Sequence, residues 1–186
     1  MADSASDAVK PLFSTEAIAA RVREIARGIA GAGLLDPIVV AVLKGSFVFA
    51  ADLVRALHRE GLRPEIDFVY LASYDGGTSS KGEVRVLRDI ESDVRGRDVV
   101  LVDDILDSGR TLAYAKEWLL AKGARRVLAC VLVDKQVPRA VPIQSDISGF
   151  VCPPVFVVGY GMDLHNRFRE LPFIGEVSGE GEDRDQ

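Results

Sequence analysis

The run Val99-Val100-Leu101-Val102-Asp103-Asp104-Ile105-Leu106-Asp107-Ser108-Gly109-Arg110-Thr111 constrains this chain more than any other segment. Four apolar residues make a buried strand that ends at two adjacent carboxylates. A short acidic turn with one glycine follows, and a helical period starts near Thr111. A strand that passes through a tight turn into a helix belongs to a layered strand–helix–strand architecture. The turn offers backbone N–H groups and the positive end of a helix dipole, which suits a phosphate. The carboxylates beside it repel a bare phosphate. A sugar phosphate resolves the conflict, because its hydroxyls, or a Mg²⁺ ion bound to them, face the acids.

The rest of the chain repeats the alternation. Ile38 to Leu43 is continuously apolar and reads as a buried strand. Lys44-Gly45-Ser46 turns from it into a helix whose Phe49, Leu53, Val54 and Leu57 share one face. Further strands are predicted at Ile66–Tyr70, Glu83–Leu87, Val127–Val133 and Val155–Val158. An amino-terminal helix is predicted from Thr15, as its cap, to about Ala30. A helix bearing Leu112, Ala115, Leu119 and Leu120 ends near Gly123. The fold class is α/β, a mostly parallel twisted sheet flanked by helices on both faces. Ligands on such sheets bind at the carboxyl ends of the strands, where Lys44-Gly45, Asp103-Asp104, Lys135 and Asp163 fall.

Residues 1–178 read as one domain, and the acidic residues 179–186 as a disordered tail. A net charge of −5 excludes general binding to nucleic acid or an anionic membrane. No apolar run approaches the length of a membrane span, and the first ten residues lack the apolar centre of a signal peptide. Cys130 and Cys152 give neither a disulfide framework nor a zinc site. The expected compartment is the cytoplasm.

Several signals carry two readings. A strand followed by acidic residues is also the form of a Walker B site, but no G-x-x-x-x-G-K-[ST] loop precedes it. Asp107 is a helix cap or a general base. Lys135 after a strand is a solvated side chain or a ligand contact, and Phe156 is core or a stacking platform. The stretch from Ser73-Tyr74 to Gly82, rich in Gly and Ser, is a plain excursion or a lid.

Five segments in order resemble the type I phosphoribosyltransferases, and within them the hypoxanthine-guanine branch. They are Leu43 to Phe47, Ser73-Tyr74 with the run to Val84, Val99 to Leu112, Leu132 to Arg139, and Phe156 to Asp163 with Phe168 to Pro172. The resemblance implies transfer of the 5-phosphoribosyl group of phosphoribosyl pyrophosphate (PRPP) to a purine, with Mg²⁺ as cofactor. A small hood built from the terminal segments would cover the sheet. Asp107 would be the base at purine N7. Asp107, Ser108, Gly109, Arg110 and Thr111 would hold the 5′-phosphate, and Asp103 and Asp104 the ribose hydroxyls or a metal. Lys44, Gly45 and Arg169 would bind pyrophosphate, and the Lys44–Gly45 peptide would be cis. Ser73 and Tyr74 would belong to the lid. Lys135 would bind the purine 6-oxo group, Phe156 would stack on the base, the backbone at Val157 would read its edge, and Asp163 would hold a second metal. The implied partners are a purine base, PRPP and further copies of the chain, in a dimer or tetramer. A xanthine-selective enzyme and a nucleotide-sensing regulator on the same fold remain as alternatives.

Overall fold

The computed structural model describes residues 9–74 and 83–177. Residues 75–82 of the expected excursion or lid and residues 179–186 of the expected tail lie outside them.

Six strands form the main sheet in the order β4-β3-β2-β5-β6-β7. They are β2 (Ile38–Leu43), β3 (Glu65–Tyr74), β4 (Glu83–Arg88), β5 (Asp98–Leu106), β6 (Arg126–Lys135) and β7 (Ile147–Cys152). All neighbours are parallel except the edge pair β3–β4. The continuous apolar runs arise because both faces of the sheet are covered. Val39, Ala41, Val100 and Val102 point into one core, shared with α1 (Thr15–Ala30) and α2 (Phe47–Arg59). Val40, Val42, Val99 and Leu101 point into the other, under α3 (Arg110–Ala121). A second sheet, β1-β9-β8, is built from β1 (Val9–Phe13), β8 (Val157–Val158) and β9 (Ile174–Val177), and forms the hood.

Strand order reverses between β2 and β5, since β3 lies on one side of β2 and β5 on the other. That switch opens a crevice at their carboxyl ends.

Several boundaries differ from expectation. Ser14, not Thr15, caps α1, its hydroxyl accepting from Ala17 N at 3.2 Å. Asp103 and Asp104 are strand residues rather than a strand end, because β5 stays paired with β6 as far as Leu106. Ser73 and Tyr74 close β3 instead of opening a loop, paired with Val84 and Glu83. Leu120 is exposed, so Leu112, Ala115 and Leu119 hold α3 to the sheet. Val155 and Phe156 precede β8. The strands β1, β7 and β9 are not apparent from apolar pattern. β7 interleaves Ser148 and Gly149, whose missing Cβ would lie 2.4 Å from Leu132 O. Glycine is what lets β7 approach β6 there.

Candidate functional site

The crevice is a cavity of about 240 Å³ lined by Gly45, Asp103, Asp104, Asp107, Ser108, Gly109 and Thr111 among others. Its floor is the end of β5 and its far wall the amino end of α3. Gly109 caps α3 with φ 81°, and no side chain caps the helix. Asp107 is therefore not the cap, and the first N–H groups of α3 remain open for an anion. A strap holds the turn from outside. Ala140 N and Val141 N donate to Ser108 O at 3.0 and 3.2 Å, and a Cβ on Gly109 would meet Val141 O at 2.8 Å. Arg139 fixes the strap by donating to Ile143 O and to the Asp134 carboxylate. Arg110 opens α3 but does not line the cavity.

Asp103 is buried and Asp104 half-buried. Backbone donors reach both carboxyls, Asp104 N to Asp103 Oδ1 and Ile105 N to Asp104 Oδ1, each at 3.0 Å. Burial, and then the charge of Asp104, pushes the Asp103 carboxyl well above the usual carboxylate range. Burial raises Asp104 too, partly offset by its hydrogen bonds and by Arg169. Two desolvated acids side by side suit sugar hydroxyls or a hard divalent cation, which prefers oxygen ligands. No cluster of three or more His, Cys, Asp or Glu suited to a metal occurs among the described residues. An ion here would draw most of its ligands from substrate and water, as small hard cations do beside phosphates.

Gly45 is a structural necessity of this wall, since a Cβ there would lie 1.7 Å from Asp104 Oδ2. Lys44 is exposed, its ammonium 5.7 Å from the centre of the Tyr70 ring. The cis peptide is Leu43–Lys44, one bond earlier than the resemblance placed it. Ser46 anchors the loop by donating to Val42 O at 2.5 Å.

Lys135, at the end of β6, donates to Asp107 Oδ2 at 3.0 Å. β5 and β6 are adjacent, so the two side chains meet across the mouth of the crevice. On the hood, Arg169 pairs with Asp163 Oδ1 at 2.7 Å and donates to Gly161 O at 2.7 Å. Asn166 N donates to Asp163 Oδ2 at 2.7 Å. Asp163 is thus engaged by protein donors on both oxygens. Phe156 is 40% exposed, which removes the core reading of that ring. Phe156 O accepts from Val177 N at 3.1 Å. In an antiparallel pair the next residue then turns its backbone groups away from its partner strand, so Val157 presents N–H and C=O at the free edge of the hood.

The structure thus gathers Gly45, Asp103, Asp104, Asp107, Ser108, Gly109 and Thr111 around one cavity, joins Lys135 to it, and sets Asp163 and Arg169 on an adjoining turn. The side chains of Ser73 and Tyr74 are outside the described ones. Arg139, Gly161, Tyr160 and Asp52 carry no signal of their place in the sequence pattern. Arg139 is visible there only as a neighbour of Lys135, and Asp52 only as one polar residue of α2.

Residues 8–165 match the family of the phosphoribosyl transferase domain. The hypoxanthine-guanine phosphoribosyltransferase of Streptococcus agalactiae is 38% identical over 94% of this chain and 96% of its own length. A hypoxanthine phosphoribosyltransferase crystal structure from Staphylococcus aureus superposes with TM-score 0.86 and 32% identity, over 95% of this chain and 96% of that one. The Trypanosoma cruzi enzyme in complex with its product IMP gives TM-score 0.84 and 36% identity, over 92% and 95%. The chain also spans about a quarter (26%) of the bifunctional protein TilS/HprT of Listeria innocua, at 42% identity.

Proposed function

The chain belongs to the phosphoribosyl transferase family, and from that premise we propose that it transfers the 5-phosphoribosyl group of PRPP to hypoxanthine and guanine, releasing pyrophosphate, as a purine-salvage enzyme of the cytoplasm. The observation that carries this reading is the Lys135–Asp107 pair at the mouth of the crevice, with donor and acceptor 3.0 Å apart.

A 6-oxopurine presents an acceptor at O6 and, in its N7–H form, a donor beside it. Lys135 donates to O6 and Asp107 accepts from N7–H, so the base opens the ion pair and replaces both partners. A 6-amino group in place of O6 would face the ammonium with a donor, which disfavours adenine. The exposed Phe156 ring stacks on the base, and the edge backbone of Val157 reads its far side.

The 5′-phosphate takes the turn from Asp107 to Thr111, where the N–H groups of α3 and the hydroxyls of Ser108 and Thr111 converge. Asp103 and Asp104 accept from the ribose hydroxyls. Pyrophosphate lies between Lys44-Gly45 and Arg169. Breaking the C1′–O bond places negative charge on pyrophosphate and positive charge on the ribose. Arg169 and the Lys44-Gly45 peptide stabilise the first, and the Asp103–Asp104 pair the second. Asp107 takes the N7 proton as the new C1′–N bond forms, a role worth about 10²–10⁴-fold. Mg²⁺ is the cofactor of this reading: bound through substrate oxygens beside Asp103, Asp104 and Asp163, it would neutralise pyrophosphate charge. Asp163 requires Arg169 to yield one carboxylate oxygen for this.

The chain acts as a homo-oligomer. Phe47, Ile66 and Phe68, 44%, 42% and 42% exposed, are apolar side chains such an interface would cover. No helix among the described residues is long and apolar enough to cross a membrane. The test is kcat/KM for hypoxanthine, guanine, xanthine and adenine with Mg²⁺ and PRPP. Turnover of the first two with adenine inert is expected. Adenine as the best substrate, or no turnover at all, would overturn the reading, and xanthine as the best would change its base.

A further inference from the structure

The turn that carries Asp163 belongs to the hood, yet one of its side chains reaches into the core. Tyr160 is buried, and its phenol donates to Asp52 Oδ2 at 2.5 Å across a sequence separation of 108 residues. Its backbone is left-handed, φ 52°. A bulky residue keeps that conformation only where its surroundings hold it. Here Tyr160 N donates to Leu171 O at 2.9 Å, and the phenol is fixed at its far end by Asp52.

The next residue explains what this fixing achieves. Gly161, at φ 103°, is so close to the first loop that a Cβ would lie 2.2 Å from Gly45 O. Gly161 also exchanges hydrogen bonds with Arg169, N to Arg169 O at 3.0 Å and O from Arg169 Nη1 at 2.7 Å. The hood turn therefore leans directly on the Lys44-Gly45 loop. Asp52 stands on α2, the helix that starts at Phe47 immediately after that loop. One hydrogen bond ties the hood turn to the element that anchors the opposite wall.

We propose that Tyr160 and Asp52 are a positioning pair that sets the gap between the Lys44-Gly45 loop and the Asp163–Arg169 turn, and so governs affinity for the pyrophosphate half of PRPP. This rests on the function proposed above. Neither residue touches substrate. Pyrophosphate is gripped from two walls, and a shift of about 1 Å between them is costly, since donors on one side then miss their oxygens. The 5′-phosphate seat, by contrast, lies wholly on β5 and α3 and is indifferent to the tie.

Two substitutions break the bond gently. Tyr160→Phe keeps the buried ring. It strands no charge, because Asp52 is partly exposed on a cleft of about 310 Å³ between α1 and α2 and also pairs with Arg55. Asp52→Asn weakens the acceptor from the helix surface.

Calorimetric titration of the full chain with pyrophosphate plus Mg²⁺, and separately with ribose 5-phosphate, which occupies only the seat on β5 and α3, tests the pair. In each variant pyrophosphate affinity is expected to fall at least fivefold while ribose 5-phosphate affinity changes less than twofold. The double variant should be no worse than Tyr160→Phe alone, because without the phenol there is no bond left for Asp52→Asn to weaken. Equal losses for both ligands, an unmoved pyrophosphate affinity, or additive losses would overturn the proposal. Should Tyr160→Phe fail to fold, the same two titrations of Asp52→Asn decide the question alone. A wild-type chain that turns over no purine while its variants show these shifts would sink the proposed reaction and leave the tie standing. Normal turnover with unshifted pyrophosphate binding would do the reverse.

Discussion

The two walls of the crevice are built by different physics. The core wall, Asp103 to Thr111, grows out of a central strand whose Val99, Val100, Leu101 and Val102 are fully buried, with β2 and β6 on its flanks. The hood wall, Gly159 to Arg169, follows a strand of two residues. Of the five non-glycine residues with left-handed backbone among those described, four (Tyr160, His165, Asn166 and Phe168) lie in it. It is held by backbone hydrogen bonds to Leu171, Arg169 and Met162 and by a few side-chain ties. The core wall places groups by burial, and the hood wall places them by local geometry pinned to the core at Tyr160 and Met162. Chemistry on the rigid wall and grip on the adjustable one is the division this arrangement permits.

Four substitutions press on that division. Asp107→Ala removes the base from the rigid wall and should lower kcat by about 10²–10⁴-fold. PRPP binding should persist, since the N–H groups of α3 remain, and single-turnover kinetics with separate PRPP titration would check it. Gly161→Ala strikes the hood. Its Cβ has only backbone to displace, so the two walls must separate, and kcat/KM for PRPP should fall roughly a hundredfold. The melting temperature should fall as well, because Tyr160 and Met162 on either side of it pack in the core shared with α1 and α2. An unchanged melting temperature would mean that the hood turn moves independently of that core.

Arg125→Ala sits far from both ligands and tests the core alone. Asp98 is buried, accepts from Leu35 N at 2.8 Å and from Arg125, and has its Oδ1 without a partner among the described residues. Losing Arg125 should destabilise the chain by about 1–3 kcal/mol with steady-state constants unchanged, as urea unfolding and kinetics would reveal. The smallest effect is expected from Asp103→Asn. The Asp103 carboxyl is raised by burial and by Asp104, so the folded chain holds a proton that the unfolded chain releases. Stability from this group therefore declines as pH rises from the ordinary carboxylate value through the raised folded one. The amide should flatten that decline and raise Tm at neutral pH, while weakening PRPP binding. Calorimetric scans between about pH 5 and pH 8 that show an unchanged slope would mean that the pair is not desolvated.

The same contrast decides what can be read from the chain. β2, β5 and β6 are continuous apolar runs bounded by turns, and their carboxyl ends pick out Lys44, Asp103, Asp107 and Lys135. Burial on both faces leaves a one-dimensional mark. β1 and β9 leave none, because each is short and the two meet only across 161 or more residues of chain. The end of β5 is hidden for a related reason. Asp103 and Asp104 look like a terminus, and only pairing with β6 carries the strand past them. Tyr160 in a Gly-rich turn looks like a spacer, since neither its left-handed backbone nor its distant partner Asp52 is written in its neighbourhood.

A crystal structure of this chain with IMP tests the central claim most directly. The 5′-phosphate is expected on the N–H groups that open α3, O6 on the Lys135 ammonium, N7 facing Asp107, and the 3.0 Å Lys135–Asp107 bond opened. A nucleotide bound elsewhere, or bound in the crevice with that ion pair intact, would contradict the proposed reaction.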